Sequence, residues 1–186
     1  MTQKPSTKET LLDAFERMVT DGGERAATLD AVAAEAGVSK GGLLYHFGAK
    51  TDLVAGLVQR LERLTSDDNA RLLAAPEGFV RKFIRSSVVV GTAFDSTYIA
   101  MTRLAQSGLY PAANASLAAV EAGWRELIEQ SVGDAAIARL VLLVSDGLYY
   151  NAALFPFDKL PTPAGELDDV IDAIEELAKS RNTSAG

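Results

Sequence analysis

The chain has 186 residues and a formal net charge of −7, with 48% hydrophobic and 23% charged residues, the makeup of one packed domain or of a small module joined to a larger one. Without cysteine there is no disulfide framework, thiol nucleophile, iron–sulfur cluster or cysteine zinc site, and with His46 as the one histidine a multi-histidine metal site is excluded too. Through Lys50 the chain carries 6 Lys+Arg against 7 Asp+Glu, and beyond it 12 against 18, so charge alone announces no nucleic-acid partner.

The polar start Met-Thr-Gln-Lys-Pro has no apolar signal stretch, which predicts a cytoplasmic protein. Apolar residues then recur at helical spacing from end to end, as in Leu11, Leu12, Phe15 and Val19. No segment alternates with the period of a strand, so the fold class is all-α with about nine helices. A first helix is predicted over roughly 6–20, ended by Gly22-Gly23. Thr28 caps a short second helix, 29–35, and Gly37 stops it. Ser39 caps a third through about Tyr45, and a fourth begins near Lys50 and runs to about Leu64, with Leu53, Val54, Leu57, Val58 and Leu61 on one face.

Proline and aspartate mark the later starts. Helices are predicted at 76–90, 95–106, 111–131 and 134–155, followed by a loop over 156–163 and a last helix over 165–179. Residues 181–186 read as frayed. The most apolar stretch, 135–155, holds Arg139 and Asp146 away from its ends, so it reads as a buried helix and not as a membrane span.

The informative stretch is 28–50, TLDAVAAEAGVSKGGLLYHFGAK, a helix, a tight turn at Ala36-Gly37-Val38 and a second helix. In a helix-turn-helix, Ala33 must be small where the helices cross, Gly37 permits a left-handed turn, and Val38 and Leu43 fill the gap between the helices. The segment Ser39-Lys40-Gly41-Gly42-Leu43-Leu44-Tyr45-His46-Phe47-Gly48-Ala49-Lys50 resembles the one that defines the TetR family of bacterial transcriptional regulators. The resemblance extends from Lys8 to about Leu57; beyond that it is one of length and helical order. It implies a helix-turn-helix DNA-binding domain over 1–50 and a ligand-binding and dimerisation domain over 51–186. The partners it implies are double-stranded operator DNA, a small-molecule effector and a second copy of the chain, with no membrane and no cofactor.

Thr28 and Ser39 stand at helix N-termini, where a hydroxyl either caps the helix or also meets a DNA phosphate. Gly41 and Gly42 each cost a helix about 1 kcal/mol relative to alanine, a choice that fits a backbone brought close to DNA. Lys40 offers charge to a phosphate or a guanine edge, Tyr45 and His46 offer phosphate hydrogen bonds, and Lys50 adds charge at the positive end of the fourth helix. Leu44 departs from the hydrogen-bonding aromatic that the family often carries there, and offers apolar contact of the kind a thymine methyl accepts. Phe47 is expected to pack inward. Lys4 and Lys8 are placed to join Lys40, His46 and Lys50 on one face.

In the second part, Phe83, Phe94, Tyr98, Met101, Trp124, Tyr149 and Tyr150, with Asp95, Asp146 and Asn151, form a set that either lines a ligand cavity or completes the core. Asp146, flanked by apolar residues, is expected to be paired with Arg103, Arg125 or Arg139, protonated, or facing a cavity. Val141, Val144, Leu148, Leu167, Val170, Ile171, Ile174 and Leu177 on the last two helices are expected to form a four-helix dimer interface, the alternative being that they complete the monomer core. A regulator or architectural DNA-binding protein without a ligand is the competing reading. An enzyme using Asp95, Asp146 or Glu166 has no supporting nucleophile, phosphate-loop or dinucleotide motif.

Overall fold

A computed structural model of the protein describes residues 5–154 and 164–184. Among these residues the chain is all-α, with nine helices in the order α1 Thr7–Gly22, α2 Leu29–Glu35, α3 Lys40–His46, α4 Lys50–Leu73, α5 Phe79–Ser86, α6 Ala93–Gln106, α7 Pro111–Val132, α8 Ala135–Leu154 and α9 Ala164–Ser184. No described helix is long and apolar enough to cross a membrane. Lys4, Phe155, the loop expected over 156–163, and residues 185–186 lie outside the described residues.

The helices collect into two compact units. The first, Met1–Thr65 with Ala93–Val120, packs α1 against α2 and α6, and α2 against α3. Its core is Leu11, Leu12, Phe15 and Val19 of α1 with Val32, Leu43, Leu53, Leu57, Leu61, Met101 and Leu104. Met101, expected among ligand-facing residues, is fully enclosed here and is a core residue. The second unit, Ser66–Thr92 with Glu121–Gly186, packs α5, α8 and α9 around Phe79, Phe83, Ile84, Ile137, Val141, Leu142, Ile171 and Ile174.

Local chemistry explains most boundaries. Ser6 caps α1 by accepting from the Glu9 N–H at 3.2 Å, and Asp134 caps α8 by accepting from Ala136 and Ile137 at 2.8 and 2.9 Å. Three helices differ from expectation by more than two residues. Helix α4 continues to Leu73 through the poor helix formers Ser66, Asp67, Asp68 and Asn69, because Leu72 at its end is buried in the second unit's core; burial overrides propensity. Helix α5 begins at Phe79 and not at Pro76, because Gly78 at φ 91° is outside helical space, and it ends where the Ser86 and Ser87 hydroxyls donate to the Phe83 carbonyl. Residues 181–184, expected to fray, stay helical: Arg181 pairs with Asp134 at 2.7 Å and the Asn182 amide donates to the Val132 carbonyl at 2.8 Å.

Candidate nucleic-acid interface

The helix-turn-helix lies within the first unit. Thr28 Oγ1 accepts from the Ala31 N–H at 3.2 Å and Ser39 Oγ from the Gly42 N–H at 3.1 Å, so both hydroxyls are helix caps. Gly37 adopts φ 64°, the left-handed value that reverses the chain and lets the Val38 N–H reach the Ala33 carbonyl at 2.9 Å. Ala33 and Leu43 are buried where α2 and α3 meet, and Val38 is half-buried beside them.

With Leu43 and Phe47 drawn inward, helix geometry turns Lys40, Gly41, Leu44, Tyr45 and His46 to the outside, and all five are exposed. Tyr45 reaches 86% exposure, an unusual setting for a large aromatic ring unless a partner covers it. Its ring meets the His46 imidazole edge-on at 5.1 Å. Lys8 Nζ stands 5.9 Å above the Phe47 ring, which brings the α1 cation to the end of α3. The two helix glycines differ. A Cβ on Gly41 would meet nothing within 4 Å, whereas one on Gly42 would lie 2.9 Å from Val38 Cγ1 and 3.3 Å from Ser39 Oγ. A side chain at Gly42 would therefore crowd Val38 in the turn, whereas Gly41 leaves backbone open to a partner.

Helix α4 seats on this head at Gly56, where a Cβ would come within 2.7 Å of Leu12 Cδ2 and 3.3 Å of Phe47 Cε1. Four residues on, Arg60 is only 8% exposed and pairs with three carboxylates of α1, Glu9, Asp13 and Glu16, at 2.5, 2.8 and 3.3 Å. Thr97 of α6 donates to the same Glu16 at 2.6 Å. Burial alone would lower the guanidinium's pKa, but the hydrogen bond to Glu9 and the charges of Asp13, Glu9 and Glu16 raise it. Sequence reasoning missed this cluster; its signal is the stripe Glu9, Asp13, Glu16 at helical spacing opposite a lone arginine in an apolar α4 face.

Both lysines expected at DNA are ion-paired. Lys40 meets Asp30 at 2.9 Å in the open, while Lys50 meets Glu24 at 2.7 Å in a sheltered position.

The residues expected to face a ligand do not behave as one set. Phe83 is a core residue of the second unit, stacked on Phe79 at 5.9 Å and edge-on to Trp124 at 5.5 Å. In the first unit Phe94 stacks on Tyr98 at 5.6 Å, both half-buried, and Asp95 is buried. Asp146 and Tyr150 are exposed on α8, and Tyr149 and Asn151 are half-buried. The premise that Asp146 is enclosed therefore fails: the 100° step of the helix turns it to the outside between inward-facing Leu142 and Leu148. Partial shielding of its carboxylate and the nearby Glu121 raise its pKa against the pull of Arg139, and Arg139 gives its own ion pair to Glu121 at 3.1 Å. Buried hydroxyls without a hydrogen-bond partner among the described residues are Thr65, Ser116 and Ser145.

The expected dimer residues need the same correction. Val141, Leu148, Leu167, Ile171 and Ile174 are buried in the second unit's own core, and the half-buried Val144 packs against it. Of the expected set, Val170 and Leu177 are exposed, and they are joined by Leu143 and Tyr150 of α8 at 53% and 65%.

An exposed second helix, held by a tight turn and by the buried Ala33 and Leu43 between two capped helices, is the DNA-reading arrangement of a helix-turn-helix transcriptional regulator. Residues 11–57 match the family model described as bacterial regulatory proteins, tetR family, and residues 77–179 match that of the tetracyclin repressor-like C-terminal domain. The chain belongs to the TetR family, a family of transcriptional regulators and not of enzymes. No curated protein matches it significantly. Among solved structures, a TetR family member from Streptomyces coelicolor A3 is similar at 24% identity and a TM-score of 0.67, over 91% of this chain and 98% of the other. The multidrug binding protein EbrR, complexed with malachite green, shares 24% identity over 91% and 98% of the two chains, with a TM-score of 0.66. A transcriptional regulator from Rhodococcus sp. Rha1 shares 21% identity over 93% and 96%, with a TM-score of 0.65. At these identities the likeness is one of fold.

Proposed function

We propose that the chain acts in the cytoplasm as a homodimeric repressor that grips a pseudo-palindromic operator through α3 and is released when a small molecule binds. Residues 1–50 carry DNA recognition, and 51–186 carry ligand binding and dimerisation. The observation that carries the reading is the outward face of α3, where Lys40, Gly41, Leu44, Tyr45 and His46 stand exposed on a helix whose opposite side is locked by Leu43 and Phe47. Tyr45 and His46 serve as phosphate donors, Lys40 as a phosphate or guanine contact, and Leu44 as an apolar contact to a thymine methyl. Thr28 and Ser39, already caps, present helix N-termini to the phosphates.

One seven-residue helix makes few contacts, so two copies are needed, with half-sites about 34–36 Å apart or somewhat more. The apolar side chains that α8 and α9 leave outside, Leu143, Tyr150, Val170 and Leu177, support self-association through these two helices. For the effector, support comes from EbrR, whose structure holds malachite green, and from SmeT, a further relative in fold whose structure holds triclosan. The reachable candidates for holding it are the half-buried Phe94 and Tyr98 in the first unit, and Trp124, Tyr149 and Asn151 in the second.

Selection from a random duplex library, followed by mobility shift with Tyr45→Ala and His46→Ala, tests the DNA half. A palindromic motif and a loss of roughly tenfold or more for Tyr45→Ala are expected; no enrichment, or unchanged affinity for both variants, refutes it. A thermal-shift screen that includes malachite green and triclosan tests the effector half, which fails if no compound both stabilises the protein and weakens its DNA complex.

A further inference from the structure

Lys50 opens α4 next to the recognition helix, yet its ammonium is already engaged. It donates to the Glu24 carbonyl oxygen at 2.5 Å and to Glu24 Oε1 at 2.7 Å, which leaves one of the three N–H groups of a lysine ammonium for anything else. Tyr110, the residue before α7, donates its hydroxyl to the same Oε1 at 2.8 Å. The pair is sheltered, with side-chain exposures of 21% for Lys50 and 14% for Glu24. Hydrogen bonds from Lys50 and Tyr110 hold the Glu24 carboxyl below its ordinary value. Burial and the hydrogen bond to Glu24 push the Tyr110 phenol up to about 12. Glu24 is thus ionised wherever DNA binding is measured. The Lys40–Asp30 pair is different in kind, because both its side chains are more than half exposed and water already competes for them.

We propose that Glu24 is a built-in counter-anion for Lys50 that limits how strongly the protein grips DNA phosphates, with Tyr110 holding the carboxylate in place. The inference rests on the DNA-binding reading above. A phosphate arriving at Lys50 meets an ion pair of zero net charge and a carboxylate within a few ångströms, so the attraction is weaker than that of a bare cation. Few counterions are released for that phosphate, since the lysine was neutralised before it arrived. The Glu24→Gln variant isolates the charge: the amide keeps the length of the side chain and a carbonyl oxygen that can still accept from Tyr110 and Lys50.

Phosphate contact is independent of sequence, so the test does not need the operator. A fluorescein-labelled mixed-sequence duplex of about 30 base pairs, roughly three helical turns, is titrated by anisotropy from about 50 to 200 mM salt. The proteins compared are the wild type, Lys50→Ala, Glu24→Gln and the double variant. Glu24→Gln is expected to bind roughly tenfold tighter at the low-salt end, with a log–log salt slope steeper by about 0.9 for each DNA-bound subunit. Lys50→Ala is expected to cost little in the wild type and the whole of that gain in the Glu24→Gln background. Weaker binding by Glu24→Gln, an unchanged slope, or an equal cost of Lys50→Ala in both backgrounds overturns the inference and makes Glu24 a positioning or structural residue. The wild-type comparison alone also decides, whatever the folding of the Glu24 variant: if Lys50→Ala flattens the slope by the full 0.9 or so per subunit, Lys50 is not muted. Absence of binding by every protein sinks the DNA reading itself, an outcome distinct from binding that ignores Glu24.

Discussion

Replacing Arg60 with methionine keeps most of the apolar stem but leaves Glu9, Asp13 and Glu16 facing one another without a cation. The three ion pairs are not equal. Glu9 and Asp13 are almost half exposed, and contacts of that kind contribute about 0–1 kcal/mol each. Glu16 is 12% exposed and also accepts from Thr97. Removing one member of a fully buried pair costs about 3–5 kcal/mol, which partial wetting of Glu16 reduces to roughly 2 kcal/mol. The expected loss is therefore about 3 kcal/mol, a large share of the roughly 5–15 kcal/mol that holds a typical protein folded. Urea denaturation followed by far-ultraviolet circular dichroism measures it through the midpoint at constant slope. Because the loss is mainly that of an uncompensated charge, adding Glu16→Gln to Arg60→Met should recover more than half of it. A single variant that loses less than about 1 kcal/mol, or a double variant that recovers nothing, refutes the view that this cluster fastens α1 to α4 and α6.

The two glycines of α3 separate fold from recognition: Gly41→Ala, with open space around it, should raise stability by about 0.5–1 kcal/mol while weakening DNA binding. Gly42→Ala should gain less or lose, because its methyl meets Val38; calorimetry and mobility shift on both variants check the contrast. For assembly, Leu143→Glu with Val170→Glu should give a monomer of unchanged helicity by light scattering, whereas Ile171→Glu, aimed into the core, should unfold the second unit; an intact dimer in the first case refutes the interface. For pH, the folded Glu24 carboxyl lies below its reference of 4.5, so its contribution to stability is complete above that reference and fades as pH falls through the folded value. Thermal melts from neutral pH into this acid range should show a shallower decline for Glu24→Gln than for the wild type, and parallel curves would contradict it.

What the sequence determined by itself was the local part of the molecule. The helical period, the caps at Thr28 and Ser39, the helix start marked by Asp134, and the turn at Gly37 each depend on residues within one or two turns of one another, and the structure places them as read. The outward set on α3 follows from the same short-range geometry once Leu43 and Phe47 are recognised as inward. Tertiary structure decided the rest. Helix α8 is apolar on nearly every side, so periodicity could not tell core from surface. Only packing against α5 and α9 shows that Val141 and Leu148 turn in while Leu143, Asp146 and Tyr150 turn out. Leu72 carries α4 nine residues past its expected end because a core waits for it. Pairing of charges lies furthest from the local level: Lys50 finds Glu24 across 26 residues and Arg60 finds Glu9 across 51. A charge is satisfied by whichever opposite charge the fold brings within about 4 Å, and no spacing along the chain encodes that distance.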